Sequence, residues 1–468
     1  MERVASLDSL RNLCRPAGQE HLLAHWDRLT EPQQKQLASQ IDSVDFGLVT
    51  GLAAGEGFAS EAAEIANRAE PPEAVPLGSH YRGFSPQDAL EEGNRIIAAG
   101  KVAMILVAGG QGTRLGFDQP KGMFPIGPVS GRTLFEMHVD SLKGAMKRFG
   151  VSIPLLIMTS PATDALTRKY FEENDRLGLR EDELILFQQG TMPAIDAATG
   201  RILMDSPFEL ALSPDGHGGI VSALVKSGVM ETMRSRGIEV LFYAQVDNPL
   251  VRACDPILIG YHRLAESQMT TQVVRKRFAK ERVGNVVQID GRTHIIEYSD
   301  LPDALAEQTL PDGSLKLWAG NIAVHVFDRA FLEQAACDAE ALPFHRALKS
   351  VPYVDSEGNR HKPATPNAVK MERFVFDLLP RARRTLVVEG DAAEVFAPVK
   401  NAEGSATDTP TTSRQAISKL HGTWLEQAGW KVEEGVQVEI HPLWAWDAVE
   451  VRDKIQGQGV VLADTYFT

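Results

Sequence analysis

Short unbroken apolar runs alternate with amphipathic stretches through most of this chain. The clearest run, 102–108 (VAMILVA), contains no polar residue. It is too short to span a membrane, but it suits a strand buried on both faces of a parallel sheet. Comparable runs at 154–159, 183–187, 240–245, 272–274, 285–289 and 322–327 predict further strands. Apolar runs spaced by helical patterns predict an α/β fold, a parallel sheet flanked by helices, with ligands gathering beyond the carboxyl ends of the strands. Ser85 as N-cap with Pro86 in the first turn predicts a helix over 85–99, and a second helix is predicted over 133–149.

The flanks follow other patterns. Up to about residue 70, apolar positions recur at helical spacing in Leu10, Leu13, Leu22, Leu23 and Trp26, and Ala-rich stretches follow. Pro71, Pro72, Pro76 and Gly78 then predict a linker or turn. Beyond 385, Val395-Phe396-Ala397-Pro398-Val399-Lys400-Asn401 leads into a polar Gly/Ser/Thr loop ending near Thr412, and a helix is predicted over 413–430. Alternation at Val436, Val438 and Ile440, with Gly457 and Gly459 later, predicts short strands. A chain of 468 residues is too long for one ordinary core. The expected division is an N-terminal helical region over 1–95, an α/β domain over 96–385 and a smaller C-terminal β-rich domain over 386–468.

The candidate chemistry begins where the run 102–108 ends. Gly109, Gly110 and Gly112 fall within four positions, so the backbone there can take positive φ and approach a ligand without Cβ interference. A turn of this kind at a strand's carboxyl end exposes several N–H donors, which suits a polyphosphate. It is not a Walker loop, because Thr113-Arg114-Leu115 follows Gly112 where Gly-Lys-Ser/Thr is required. Leu115 also occupies the third glycine position of the dinucleotide fingerprint, which disfavours an oxidoreductase. Pro120-Lys121-Gly122 adds a cation a few residues on.

Four further segments stand out. Phe187-Gln188-Gln189-Gly190 ends one with adjacent amides that can read a pyrimidine edge or simply face solvent. Ser213-Pro214-Asp215-Gly216-His217-Gly218-Gly219 is a second glycine-rich turn, either plain or pressed against a base or sugar. Asp247, in Val246-Asp247-Asn248-Pro249, is either an Asx-turn or helix cap or a ligand for a hard cation such as Mg²⁺. Asn321, in Ala319-Gly320-Asn321-Ile322, offers an amide to a sugar hydroxyl or acetamido group. The basic run Arg275, Lys276, Arg277, Lys280 and Arg282 is either a solvated face or the side of a phosphate site. His21 and His25 stand four apart without the glutamate of a HExxH motif, and read as helix-surface histidines.

Composition narrows the partners. Apolar content of 43% and charged content of 24% are those of a globular protein. A net charge of -14 argues against non-specific binding to nucleic acid or an anionic membrane. An anionic substrate therefore needs a locally basic pocket. Cys14, Cys254 and Cys337 lie far apart without CxxC spacing, which predicts neither a disulfide framework nor a zinc site. With no apolar segment of signal or membrane-span length, a cytoplasmic location is expected.

Over roughly 80–430 the chain resembles the UDP-N-acetylglucosamine pyrophosphorylase (UDP-N-acetylhexosamine uridylyltransferase) family. The resemblance rests on LVAGGQGTRLGFDQPKGM, IMTSPATDALT, FQQGTMPAI, SPDGHGG, VDNPLVRACDP, IIEYSD, AGNIAVHVF, VKMERFVFD and FAPVKNA. It implies a central Rossmann-like nucleotidyltransferase sheet between an N-terminal helical part and a smaller C-terminal β-rich domain. The implied reaction joins UTP and N-acetylglucosamine 1-phosphate, with Mg²⁺, to give UDP-N-acetylglucosamine and pyrophosphate. Gly109, Gly110 and Gly112 are then expected to cradle the phosphates, and Arg114, Lys121 and Lys400 to neutralise them. Gln189 and Gly216 are expected at the uracil, Asp247 at the metal, and Gly284, Glu297 and Asn321 at the sugar. His217 departs from the asparagine usual in this family and matches the Gly-His-Gly of the related UDP-glucose pyrophosphorylases. Glucose or galactose 1-phosphate is therefore the alternative substrate. A UDP-sugar-binding protein without turnover is the alternative from another class.

Overall fold

The computed structural model describes residues 6–55, 65–76, 80–338 and 340–468. The chain divides into two compact units. The smaller gathers the described residues of Met1–Ser60, Gln189–Ser222 and Ala339–Asp377, and the larger those of Glu61–Gln188, Ala223–Asp338 and Leu378–Thr468.

The larger unit is built on the expected sheet. Its strand order is Ala74–Val75, Thr385–Glu389, Met269–Arg275, Ala319–Asp328, Val240–Gln245, Val102–Val107, Leu155–Thr159 and Leu184–Gln188. All neighbours on this path run parallel except Ala319–Asp328, which is antiparallel to both strands beside it. A hairpin, Gly284–Ile289 with Arg292–Ile296, joins this strand at Gly284 opposite Asn321. Its turn is Asp290-Gly291, with φ of +50° and +77°. Asp-Gly is the residue pair that a tight type I′ hairpin requires.

Helices cover the sheet, and Leu106, Phe135, Ile157, Phe242 and Ile259 are among the buried side chains between the layers. Helix Pro86–Ala98 starts as expected: Ser85 and Asp88 form a reciprocal capping box. Thr133 and Glu136 do the same for helix Leu134–Phe149, which places that helix directly after the glycine-rich loop region. The helix expected over 413–430 runs instead from Pro410 to Gln427, because Thr409 caps it and Pro410 takes its first turn. The C-terminal part adds the parallel pairs Lys431–Val432 with Val460–Val461 and Val438–Ile440 with Thr465–Phe467, packed with helix Ala448–Lys454.

Part of the stretch read as a linker forms structure. Ala74–Val75 is an edge strand pairing with Thr385–Glu389, while Gly78 lies outside the described residues.

The smaller unit packs helices Leu7–Cys14, Glu31–Asp42 and Phe46–Ala53 on short strands from the other two segments. The Ala-rich residues 56–64 lie outside the described residues. His21 and His25 are not simple surface residues: their Nε2 atoms bond Ile202 O at 2.8 Å and Asp355 O at 3.2 Å. Among the described residues no helix is long and apolar enough to cross a membrane.

Candidate active site

Strand Val102–Val107 and its parallel neighbour Leu155–Thr159 end side by side, and Ser160 Oγ donates to Gly109 O at 2.8 Å. The loop beyond Gly109 is closed by its own backbone. Leu115 N and Phe117 N donate to Gly112 O at 2.7 and 3.2 Å, Gly112 N to Gln119 O at 2.9 Å, and Lys121 N to Gly110 O at 3.0 Å. The glycines serve different ends. A Cβ on Gly112 would lie 2.7 Å from Phe117 Cδ1 and 2.8 Å from Phe117 O, so tight packing requires glycine there. A Cβ on exposed Gly110 would meet no atom within 4 Å, so the fold itself does not require glycine at that position. The open space beside it is available to a ligand. Positive φ, expected within the cluster, occurs instead at Gly116 (+69°), which ends the turn Thr113–Leu115.

The charged groups converge beside this loop. Gln245 pairs with Val107, so Asp247 emerges next to the glycine turn. Lys121 Nζ lies 3.4 Å from Asp247 Oδ2, with both side chains mostly buried. Asp247 O accepts from Val399 N at 2.8 Å, and the Asn248 side chain donates to Val395 O and accepts from Ala397 N. The segment before Lys400 is thereby fastened beside Asp247. Lys400 Nζ sits 5.7 Å from the Phe396 ring centre, and Lys400 N and Asn401 N both donate to Asp408 O. Arg114 is exposed and makes no ion pair or hydrogen bond among the described residues.

The three residues expected at the sugar come together at the hairpin. A Cβ on Gly284 would lie 3.2 Å from Glu297 Oε1 and 3.6 Å from Asn321 Cβ. Strand Ala319–Asp328 shifts register opposite Gln272/Val273, and Ala323 takes φ +56°. This bulge turns the Ala323 N–H onto Asn321 Oδ1 at 3.0 Å, which fixes the amide and leaves its Nδ2 as the donor available to another molecule.

In the neighbouring basic run Arg275, Arg277, Lys280 and Arg282 are exposed, as a solvated face requires, while Lys276 turns inward. Lys276 is buried with Nζ on Asn285 Oδ1 at 2.6 Å, and burial pushes its pKa down. Arg275 pairs with Glu389, Arg277 with Glu281, and Lys280 with Asp303.

The remaining predicted residues lie in the smaller unit. Gly190 and Asp215 are joined by Asp215 N donating to Gly190 O at 3.1 Å, and the Asp215 carboxylate fills the space where a Gly190 or Gly219 side chain would stand. Gln189 is thus held beside the second glycine turn. Gly216 has φ +83° and Gly218 N donates to Arg373 O at 2.7 Å. His217 Nδ1 accepts from Val375 N at 3.2 Å, and its ring stacks on Phe374 at 5.3 Å. Burial, with His345 nearby, pushes its pKa down to about 4, so it is a neutral Nε2–H tautomer at physiological pH.

A family model described as UTP–glucose-1-phosphate uridylyltransferase matches residues 64–404. The chain belongs to the UDP-sugar pyrophosphorylase family. The chain is 36% identical over 442 residues to the UDP-N-acetylhexosamine pyrophosphorylase-like protein 1 of Xenopus tropicalis, covering 92% of this chain and 86% of that one. It is 36% identical over 439 residues to the UDP-N-acetylglucosamine pyrophosphorylase of Saccharomyces cerevisiae, covering 91% and 92%. The crystal structure of the Trypanosoma brucei uridine diphosphate N-acetylglucosamine pyrophosphorylase, in complex with an inhibitor, superposes with a TM-score of 0.81 at 26% identity, covering 98% of each chain. The family reaction class, transfer between UTP and a sugar 1-phosphate to give a UDP-sugar and pyrophosphate, follows from this membership.

Several residues that shape the site escaped the sequence reading. His138, buried in helix Leu134–Phe149, has Nε2 3.1 Å from Val246 O, next to Asp247. Burial pushes its pKa down to about 4, against the hydrogen bond to Val246 and the charge of Asp247. Asp408 takes φ +58°, and burial raises its pKa while Lys400 and Arg277 oppose the rise. Glu439, from the C-terminal part, accepts from Val129 N, Ser130 N and Ser130 Oγ at 2.7–2.9 Å, fixing the turn that leads into helix Leu134–Phe149. No local motif marks His138 or Glu439; Asp408-Thr409-Pro410, a turn followed by a cap and a first-turn proline, carries a readable signal.

Proposed function

We propose that this enzyme makes UDP-N-acetylglucosamine and pyrophosphate from UTP and N-acetylglucosamine 1-phosphate. The observation that carries the transfer chemistry is the Lys121–Asp247 pair, from the loops that follow two adjacent parallel strands, beside the open backbone at Gly110. A phosphate oxygen of the sugar 1-phosphate attacks the α-phosphorus of UTP in line. The new P–O bond forms as the α–β bridging bond breaks, and pyrophosphate leaves with its electron pair. The nucleophile is already an anion, so no general base is needed. Positioning and charge neutralisation are the whole task, and Lys121, Arg114 and Lys400 are assigned to it.

Asp247 is a single partly buried carboxylate, and among the described residues no three or more His, Cys, Asp or Glu side chains converge. That donor set fits Mg²⁺, which takes one or two carboxylates and completes its shell with phosphate oxygens and water, and not a cation that needs an all-protein cage. Bound there, Mg²⁺ would neutralise phosphate charge. Gln189, Gly216 and His217 are assigned to the uridine, and Gly284, Glu297 and Asn321 to the sugar. The fixed Asn321 Nδ2 donor suits an acetamido carbonyl, and the acetylhexosamine reading is further supported by the relatives at 36% identity. A hexose 1-phosphate is the second reading, favoured by His217 in Gly-His-Gly.

Pyrophosphate release measured with UTP, Mg²⁺ and N-acetylglucosamine, N-acetylgalactosamine, glucose and galactose 1-phosphates tests both. The highest kcat/KM is expected with N-acetylglucosamine 1-phosphate. A preference for glucose 1-phosphate refutes the first reading in favour of the second, and no turnover with any sugar refutes both.

A further inference from the structure

The larger unit contains a cavity of about 350 Å³ formed by the loop after Asn248, helix Pro410–Gln427 and the segment around Trp446. This volume is that of a small-molecule site. Leu250, Ile417, Leu420 and Trp424 give it apolar walls, and its polar groups can be accounted for one by one.

Its two arginines are each paired with a carboxylate. Arg148 Nη1 lies 2.6 Å from Asp447 Oδ2 and 3.2 Å from Glu450 Oε1, and Arg252 Nη2 lies 3.1 Å from the same Asp447 oxygen. The Arg252 guanidinium also stacks on Trp446 at 4.3 Å, and its Nε is buried with no hydrogen-bond partner among the described residues. His421 adds no charge: burial pushes its pKa down to about 4, and its Nδ1 accepts from Ile440 N. What remains is negative. Asp255 uses one oxygen to cap helix Pro256–Leu264, and Glu394, an exposed residue at the cavity's edge, presents a carboxylate with no side-chain hydrogen bond or ion pair among the described residues. Burial raises the Glu394 pKa, with Asp391 and Asp255 adding to the rise and Arg252 opposing it.

The same wall leads to the proposed phosphate site. Val395 lines the cavity and is held through Asn248, and Val399 N is bonded to Asp247 O. We propose that this cavity binds a small organic ammonium ion carrying an aromatic or branched apolar body, and that its occupancy alters the affinity for UTP. The second half rests on the function proposed above; the first does not.

Calorimetric titration of the full chain with 2-phenylethylammonium, 2-phenylethanol and phenylacetate at fixed ionic strength tests it. Saturable one-site binding of the ammonium is expected, about five- to tenfold tighter than the alcohol, as one charge-assisted contact gives. Phenylacetate is expected to bind most weakly. Glu394→Gln should reduce the ammonium to the affinity of the alcohol, and Leu420→Trp, checked by its unfolding temperature, should abolish binding by filling the space. Phenylacetate binding as tightly as the ammonium, no saturable ammonium binding, or an unchanged affinity in both variants overturns the site.

UTP is then titrated with and without saturating 2-phenylethylammonium, and a change in Kd of about threefold or more is expected. An unchanged Kd overturns the coupling. If UTP does not bind at all, the nucleotide reading fails, while the ammonium titration still decides the cavity.

Discussion

Replacing Gly110 and Gly112 by alanine, one at a time, separates what the loop owes to its own folding from what it owes to a ligand. At Gly112 the new methyl meets three atoms of Phe117 at 2.7–2.9 Å, where ordinary contact is about 3.4 Å or more. Relief requires the turn to open, which strains the two hydrogen bonds that Leu115 and Phe117 donate to Gly112 O. Overpacking of this kind costs about 1–3 kcal/mol. At Gly110 no atom lies within 4 Å and φ is not positive, so alanine fits and stiffens the unfolded chain, a gain of about 0.4–1 kcal/mol. Denaturant unfolding should therefore show Gly112→Ala clearly destabilised and Gly110→Ala at or slightly above wild type. Titration with UTP should show the reverse for Gly110→Ala, a Kd raised on the order of tenfold, because the methyl occupies the space assigned to a phosphate oxygen. Wild-type UTP affinity in Gly110→Ala refutes the phosphate assignment, and wild-type stability in Gly112→Ala refutes the packing argument.

Three further outcomes are expected. Lys121→Ala should lower kcat on the order of 10² or more, as loss of a preorganised charge does, and an unchanged rate in the pyrophosphate assay removes Lys121 from the chemistry. Asp247→Asn should move the Mg²⁺ dependence of turnover to higher concentration; an identical Mg²⁺ titration refutes the metal assignment. His138 has a folded pKa near 4 against about 6.5 unfolded, so the unfolded chain binds more protons between those values and stability falls as pH drops through that window. The loss from this one group is about 3 kcal/mol. His138→Gln should flatten that acid limb in urea unfolding at pH 4–6.5, and an equally steep limb shows that other groups dominate it.

Much of the fold was legible because its signals are local. A fully buried parallel strand must read as an unbroken apolar run, and the runs at 102–108, 154–159 and 240–245 coincide with strands within a residue or two. Ser85-Pro86 marked a helix start for the same reason, and Thr409-Pro410 carried an equal signal that went unread. The direction of Ala319–Asp328 was not legible, since an apolar run says nothing about whether its partners run with or against it. The hairpin at Asp290-Gly291 was signalled by its turn residues and still missed, because Arg292–Ile296 mixes polar and apolar positions. At the candidate site, residues on glycine turns and strand ends announced themselves through composition. His138 and Glu439 did not, because each acts through a partner distant in sequence.

The order in which the smaller unit is assembled from the chain sets a constraint on its synthesis. Leu10, Leu22, Leu37 and Ile41 share a core with Met192, Ile202, Phe344 and Met371. A ribosome adding roughly 5–20 residues per second leaves the first helices waiting on the order of tens of seconds for their last partners to emerge. Throughout that interval the nascent amino-terminal segment carries uncovered greasy faces, the state that holdase chaperones recognise and that self-associates in crowded cytosol. Yield in a heterologous host should thus respond to translation speed and chaperone supply more than to any exchange at the catalytic loops.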